Sequence, residues 1–170
     1  MKALKGIIIG TILVFSIGVV VFLGLSLYAY NNLKYYSVYY AQQMPHKEGT
    51  EPDLVMLIEN MGSIYTPKIE GIRYDDDGNN AIENTKAEVV LSNSMGNFLY
   101  HKNSVTVAFD STFRFFHVTD LSGEQPKREI HESEIKQEIR EVFAPVIDVQ
   151  PKPRINLQWL FNMKYQDRFN

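Results

Sequence analysis

Three consecutive aspartates before a glycine, Asp75–Asp77 and Gly78, come nearest in this chain to a metal-binding pattern. An EF-hand calcium loop needs acids at positions 1, 3 and 5, glycine at position 6 and glutamate at position 12. With Gly78 at position 6, Arg73 stands at position 1 and Asn84 at position 12, so two anchoring ligands are missing. The pattern favours a solvated hairpin turn, and a looser site of carboxylates and carbonyls is the alternative.

The four histidines are candidates for acid–base or metal chemistry, but their spacing favours neither role. They are His46, His101, His117 and His131. No pair has the spacing of a helical metal site, and His131-Glu132 lacks the second histidine of a metalloprotease helix. His117 follows two phenylalanines, which favours a strand residue over a ligand. We therefore predict no catalytic residue, no metal ligand and no cofactor.

Other catalytic motifs are also missing from the sequence. It has no Gly-x-Ser-x-Gly elbow, no Walker A loop and no Gly-x-Gly-x-x-Gly fingerprint. The glutamates between 132 and 141 suit the solvated face of a helix. The absence of cysteine excludes disulfides, zinc thiolates, iron–sulfur clusters and a cysteine nucleophile. These absences predict a protein that is not an enzyme.

The longest uncharged stretch covers residues 6–30, between Lys5 and Lys34. At about 1.5 Å per residue it forms a helix of roughly 37 Å, enough to cross a hydrocarbon core of about 30 Å. We therefore predict a short basic tail over residues 1–5 and a transmembrane helix over residues 6–30 that contacts the lipid bilayer.

A cleaved signal sequence is the main alternative, because Lys2 and Lys5 supply a charged start. The apolar run is longer than the roughly 7–15 residues of a signal peptide. Cleavage after Ala29 would also place the bulky Leu27 at position −3. A buried core helix is the third reading, and it requires a larger protein around it. We expect a retained anchor.

Positive charge flanks the two ends of this helix unequally. Lys2 and Lys5 precede it, whereas Lys34 is the one basic residue that closely follows it. Since positive charge is retained in the cytoplasm, we expect a cytoplasmic amino terminus and an extracytoplasmic domain at the cell membrane.

Residues 31–49 are predicted as a tyrosine-rich juxtamembrane helix and linker. With no helix breaker before Pro45, one helix is expected from Lys5 to Met44. Four tyrosines would then share one face: Tyr35, Tyr36, Tyr39 and Tyr40. This face either packs on the domain or headgroups, or binds a protein partner.

Gly6 and Gly10 form a Gly-x-x-x-Gly pair at the start of the apolar stretch. This spacing allows two helices to approach closely and is a candidate homodimer contact. The alternative is a chance occurrence of a short pattern.

Residues 50–170 are predicted as one soluble α+β domain. Of the 17 basic and 20 acidic residues, 15 basic and all 20 acidic ones follow Tyr30, a net charge of −5. This charge argues against nucleic acid as a partner.

Two helices are predicted to pack on an antiparallel β-meander. The first covers 51–61, and the second covers 129–143 and ends at Pro145. Alternating residues predict strands at 68–74, 86–92, 98–101, 105–110 and 113–119, and further strands at 146–149 and 155–161. Residues 75–85 read as a loop, and residues 162–170 are expected to fray.

These features predict a membrane-anchored, non-enzymatic binding, accessory or assembly module outside the cytoplasm. An inward-facing subunit of a membrane complex is the alternative. A membrane-tethered hydrolase with a site built from scattered residues is the third reading.

Overall fold

A helix of 34 residues, α1 (Lys2–Tyr35), begins the chain. The structure is a computed structural model that describes residues 2–75, 80–120 and 131–170, with side chains from residue 9 onward. The segment Ile9–Tyr35 of α1 is long and apolar enough to cross a membrane, and its most apolar window has no buried residue. The apolar helix predicted from the sequence is therefore present and does not pack into the domain.

The prediction of one helix as far as Met44 is wrong. Helix α1 ends at Tyr35, and a short helix α2 (Ser37–Gln43) follows. Tyr36 between them has φ −101° and ψ 18°, outside the α-helical region. The interruption lets α2 bury Val38 and Tyr40 in the domain core. This packing is tertiary, and no proline or glycine marks it in the sequence.

After α3 (Pro52–Glu59), the chain forms a sheet of six antiparallel strands in sequential order. The strands are β1 (Ile72–Asp75), β2 (Ala81–Asn84), β3 (Val89–Ser94), β4 (Asn97–Lys102), β5 (Val105–Phe109) and β6 (Phe115–Asp120). The predicted meander and the helix near 51–61 are confirmed. Strand β2 lies in the segment predicted as a loop, where it pairs with both β1 and β3.

Helix α4 (Glu132–Ile147) continues through Pro145, so the predicted end at Pro145 and the strand at 146–149 are wrong. Pro145 has no N–H to donate to the carbonyl four residues before it, so α4 continues through this position at the cost of one helical hydrogen bond. Val146 and Ile147 are buried, and their burial favours the extra turn. Residues 129 and 130, where this helix was predicted to begin, lie outside the described residues.

Helix α5 (Gln158–Phe169) replaces the strand predicted at 155–161 and the fraying end. The apolar alternation that suggested a strand also fits a helix, since Phe161, Tyr165 and Phe169 recur every four residues. Phe161 and Phe169 are fully buried and Tyr165 packs on the core. Their burial selects the helical period.

Helices α2, α3, α4 and α5 share one core with strands β2 to β5. The largest fully buried side chains include Tyr40, Phe98, Phe109, Phe113, Phe143, Phe161 and Phe169. Because α2 follows α1 directly, this core also fixes the end of the apolar helix.

Candidate functional site

The carboxyl end of α1 is joined to the domain by a buried hydrogen-bond cluster centred on Tyr40. The Tyr40 hydroxyl donates to Oδ1 of Asn32 over 2.7 Å and accepts the backbone N–H of Leu157 over 3.0 Å. Gln158 Nε2 donates to the Tyr40 carbonyl over 2.8 Å. The cluster therefore connects the neighbouring helices α1 and α2 to the start of α5, which lies more than 100 residues later in sequence.

Burial controls the chemistry of this cluster. Tyr40 and Asn32 are both buried. Desolvation raises the pKa of the Tyr40 phenol and outweighs the opposing effect of the Leu157 N–H. The phenol therefore stays protonated at neutral pH and remains a hydrogen-bond donor to Asn32. The cluster is suited to holding elements together and not to proton transfer.

The four juxtamembrane tyrosines do not share one exposed face. Tyr40 is fully buried, Tyr36 and Tyr39 are half-buried against the core, and Tyr35 is exposed. The rings of Tyr35 and Tyr36 meet edge to face with centroids 4.8 Å apart. Packing on the domain therefore accounts for most of this tyrosine surface, and Tyr35 is the member that presents a ring to solvent.

A second surface at the same end of α1 was missed because residues 155–161 were read as a strand. It combines exposed apolar and basic side chains, and we call it the α5 surface: Ile155, Trp159 and Met163 with Lys152, Arg154 and Lys164. Trp159 is 66% exposed and Met163 is 69% exposed. The helical period would have revealed this surface, because Trp159 and Met163 lie four residues apart and opposite Phe161.

The α5 surface adjoins the apolar helix. The ammonium of Lys164 lies 5.9 Å from the ring centroid of Tyr30, and Lys34 lies 4.8 Å from the same centroid. The amide nitrogen of Asn32 lies 3.4 Å from the Ile155 carbonyl. Apolar, aromatic and cationic groups thus meet where α1 enters the domain.

An open groove of about 590 Å³ lies between residues 48–51 and the first half of α4. Its cations are already engaged within the protein. Both terminal nitrogens of Arg140 donate to the Asp53 carboxylate at 2.9 Å, and Arg140 also contacts Glu51. Buried Lys136 donates to the Gly49 carbonyl and pairs with Glu132 at 2.6 Å. This network ties α4 to the start of α3.

Electrostatics keep the Arg140 pair ionised. Burial of the guanidinium opposes its charge, but the hydrogen bonds and charges of Asp53 and Glu51 raise the pKa of Arg140. At Glu132, burial favours the neutral acid, but the Lys136 hydrogen bond and the Phe115 N–H lower its pKa. Both groups are therefore charged at neutral pH and act as structural ion pairs.

Two of the described histidines, His101 and His46, each lie beside a threonine hydroxyl. Nδ1 of His101 lies 2.8 Å from the Thr106 hydroxyl, and burial lowers the pKa of His101. Nδ1 of His46 lies 3.1 Å from the Thr50 hydroxyl. Within the described ranges, no group of three or more His, Asp or Glu side chains could hold a metal ion. Asp75 ends β1, whereas Asp76, Asp77 and Gly78 lie outside the described residues.

The proposed homodimer contact lies on α1. A Cβ atom added to Gly10 would meet no atom within 4 Å, so this part of the helix surface is open. The surroundings of Gly6 lie outside the described side chains.

Comparison with known proteins finds no relative of this chain. No protein-family model, no curated protein and no solved structure matches this chain significantly.

Proposed function

We propose that this protein is a single-pass membrane protein whose α+β domain lies outside the cytoplasm and serves as a non-enzymatic binding, accessory or assembly module. The observation that carries the proposal is the contrast along α1. Its apolar segment exposes large side chains, such as Phe15 at 72% and Phe22 at 68%, whereas Leu33 near its end is buried in the domain core. A continuous apolar surface of this kind is unfavourable in water and suits a bilayer.

The continuity of α1 supports retention of the segment over its removal as a signal sequence. Cleavage after Ala29 would cut inside a helix that runs without a break to Tyr35. Leu33 is buried only four residues beyond this point, and Asn32 belongs to the Tyr40 cluster. The apolar segment is therefore the direct extension of an element that the domain holds.

The flanking charges support the outward orientation, since Lys2 and Lys5 precede the apolar segment. The α5 surface favours the second candidate, an inward-facing subunit of a membrane complex, because it adds positive charge at the domain end. Its residues lie more than 100 positions after α1 in sequence. The charge rule depends on basic residues within about 15–20 positions of a span, so the first orientation is preferred.

The sequence supports the non-enzymatic role, because it has no catalytic motif. The groove beside α4 supports it too, since Lys136 is paired with Glu132 and Arg140 with Asp53. For a binding role, Tyr35 is the candidate contact, because it is the tyrosine of the juxtamembrane segment that is exposed. Exposed aromatic side chains are enriched at protein interfaces.

A topology experiment tests the anchor and its orientation. An epitope tag after Asn170 is followed during protease treatment of intact cells from which any wall or outer membrane has been removed. We expect the tag to be digested while a cytoplasmic marker survives, and full-length chain to stay in the membrane after alkaline carbonate extraction. A tag that survives until the membrane is breached would instead establish the inward-facing subunit.

A crosslinking experiment tests the binding role. A photo-crosslinking amino acid at position 35 is compared with the same residue at position 65, since Tyr65 is also exposed but lies in the segment between α3 and β1. We expect a discrete protein adduct from position 35 in intact cells and none from position 65. Equal adducts from both positions would argue against a binding surface at Tyr35.

A further inference from the structure

The α5 surface has the composition of a membrane-interface contact. Trp159 and Met163 lie four residues apart, and Leu160 and Lys164 repeat this spacing on the adjoining side of the helix. Phe161 and Phe169 of the same helix pack in the core and are buried. Tryptophan and lysine suit the boundary between lipid and water, because each joins an apolar body to a polar end.

The position of the α5 surface beside α1 indicates what it contacts. Lys164 and Lys34 approach the ring of Tyr30 from two elements, and Ile155 contacts Asn32 two residues further along α1. If the apolar segment crosses a bilayer, these groups lie where the segment leaves it. Through Lys164 and Ile155, part of the α5 surface therefore lies beside the end of the apolar segment.

The charges of this region are free to bind an anion. Lys34, Lys152, Arg154 and Lys164 have no carboxylate partner among the residues that the structure describes. Several basic side chains of the sheet, of the turn between β2 and β3 and of α4 are paired instead: Arg73 with Glu83, Lys86 with Glu70, Lys102 with Glu138, Lys136 with Glu132 and Arg140 with Asp53. A local excess of unpaired positive charge on an acidic protein complements anionic lipid headgroups.

We propose that the α5 surface rests on the bilayer that α1 spans, with Trp159 and Met163 in the headgroup region and Lys34, Arg154 and Lys164 bound to anionic phospholipid. The inference rests on the proposed membrane anchor, but it holds for either orientation of the chain. It means that the domain is held against the membrane at two places, through α1 and through α5. The Tyr40 cluster couples these two places, since it joins Asn32 to Leu157.

The chain contains a single tryptophan, Trp159, which makes its fluorescence a direct probe of this contact. The full chain is reconstituted into vesicles of phosphatidylcholine, either pure or with about one third phosphatidylglycerol. Each composition is prepared with and without lipids brominated in the upper acyl chain, which quench nearby tryptophan. Flotation after carbonate treatment is measured on the same samples.

We expect the chain to float with the vesicles and Trp159 emission to be blue-shifted. Brominated lipids should quench this emission at least about twofold more strongly in the anionic vesicles than in pure phosphatidylcholine. The double variant Arg154→Glu, Lys164→Glu should lose most of this difference. Lys68→Glu provides the matched control, because Lys68 is exposed and lies outside the α5 surface. In this variant Trp159 should be quenched as in the unaltered chain. Arg154→Lys with Lys164→Arg should retain the effect, since these changes keep the charges.

The outcomes separate the two proposals. A chain that does not float overturns the anchor, and the inference with it. A chain that floats with unquenched Trp159 overturns the lipid contact and leaves the anchor intact, with a protein as the remaining occupant of the surface. Equal quenching in both compositions overturns the assignment of anionic lipid.

Discussion

The phenol oxygen of Tyr40 in α2 lies 2.7 Å from the side-chain carbonyl oxygen of Asn32 in α1, and both side chains are buried. The same phenol accepts the N–H of Leu157, which immediately precedes α5. One side chain therefore positions the end of the apolar helix, the juxtamembrane helix and the carboxyl-terminal helix. The proposed anchor and the domain meet at a fixed junction instead of a loose linker.

Removing the Tyr40 hydroxyl should weaken this junction. Tyr40→Phe leaves Oδ1 of Asn32 and the N–H of Leu157 without this partner, at a cost of about 1–3 kcal/mol for buried groups. Urea unfolding should show the loss, and hydrogen exchange should increase at residues 155–158. Tyr35→Phe alters an exposed ring and should change neither. Unchanged exchange at Leu157 in Tyr40→Phe would contradict a structural role for the cluster.

Because α3 and α4 share one core, a charge buried in either helix should unfold the domain. Leu57 and Ile139 are fully buried in the apolar core, which offers aspartate no water. Burying an unpaired charge costs several kcal/mol, a large part of the stability of a small domain. Circular dichroism should show Leu57→Asp and Ile139→Asp largely unfolded. As a control, Ser133→Asp introduces the same group on the exposed side of α4 and should melt like the unaltered chain. Cooperative, native-like melting of Ile139→Asp would refute the shared core.

The pair between Arg140 and Asp53 should stabilise the contact between α4 and α3. Arg140→Met leaves the buried Asp53 carboxylate without its two guanidinium donors, and we expect a loss of about 2–4 kcal/mol in the free energy of unfolding. Asp53→Asn in the same chain should recover part of it, because the uncompensated charge is removed. Arg73→Met breaks an exposed pair and should cost at most about 1 kcal/mol. Equal losses in the Arg140 and Arg73 variants would exclude the proposed role of burial.

Tyr74 should make the domain sensitive to alkali. Burial, with a smaller effect of Tyr65, raises the pKa of the Tyr74 phenol to about 12 from its ordinary value of 10.0. The unfolded chain therefore loses this proton first, and the contribution of Tyr74 to stability, complete below pH 10, is lost as the pH rises through 12. Its hydroxyl also donates to the Pro67 carbonyl, so Tyr74→Phe should be less stable at pH 8. Urea midpoints of the two chains should converge towards pH 11.5, and a constant difference would contradict the assignment.

Local pattern determined most of the sheet and the apolar helix. Alternation along 98–101 and 105–110 corresponds to β4 and β5, and short connections restrict neighbouring strands to antiparallel pairing. The uncharged run of residues 6–30 is a helix because its length and composition allow little else. These features depend on residues close together in the chain, so the sequence reveals them directly.

Tertiary contacts decided the rest. The apolar residues 155–161 fit both a strand and a helix, and burial of Phe161 against Tyr40 selected the helix. The break at Tyr36 and the turn of α4 beyond Pro145 follow from burial of Val38 and Val146 in the same core. The candidate surface depended on these outcomes, because Lys164 approaches Tyr30 only when α5 is a helix held at the end of α1. Such proximity arises from packing between segments more than 100 residues apart, which local periodicity does not encode.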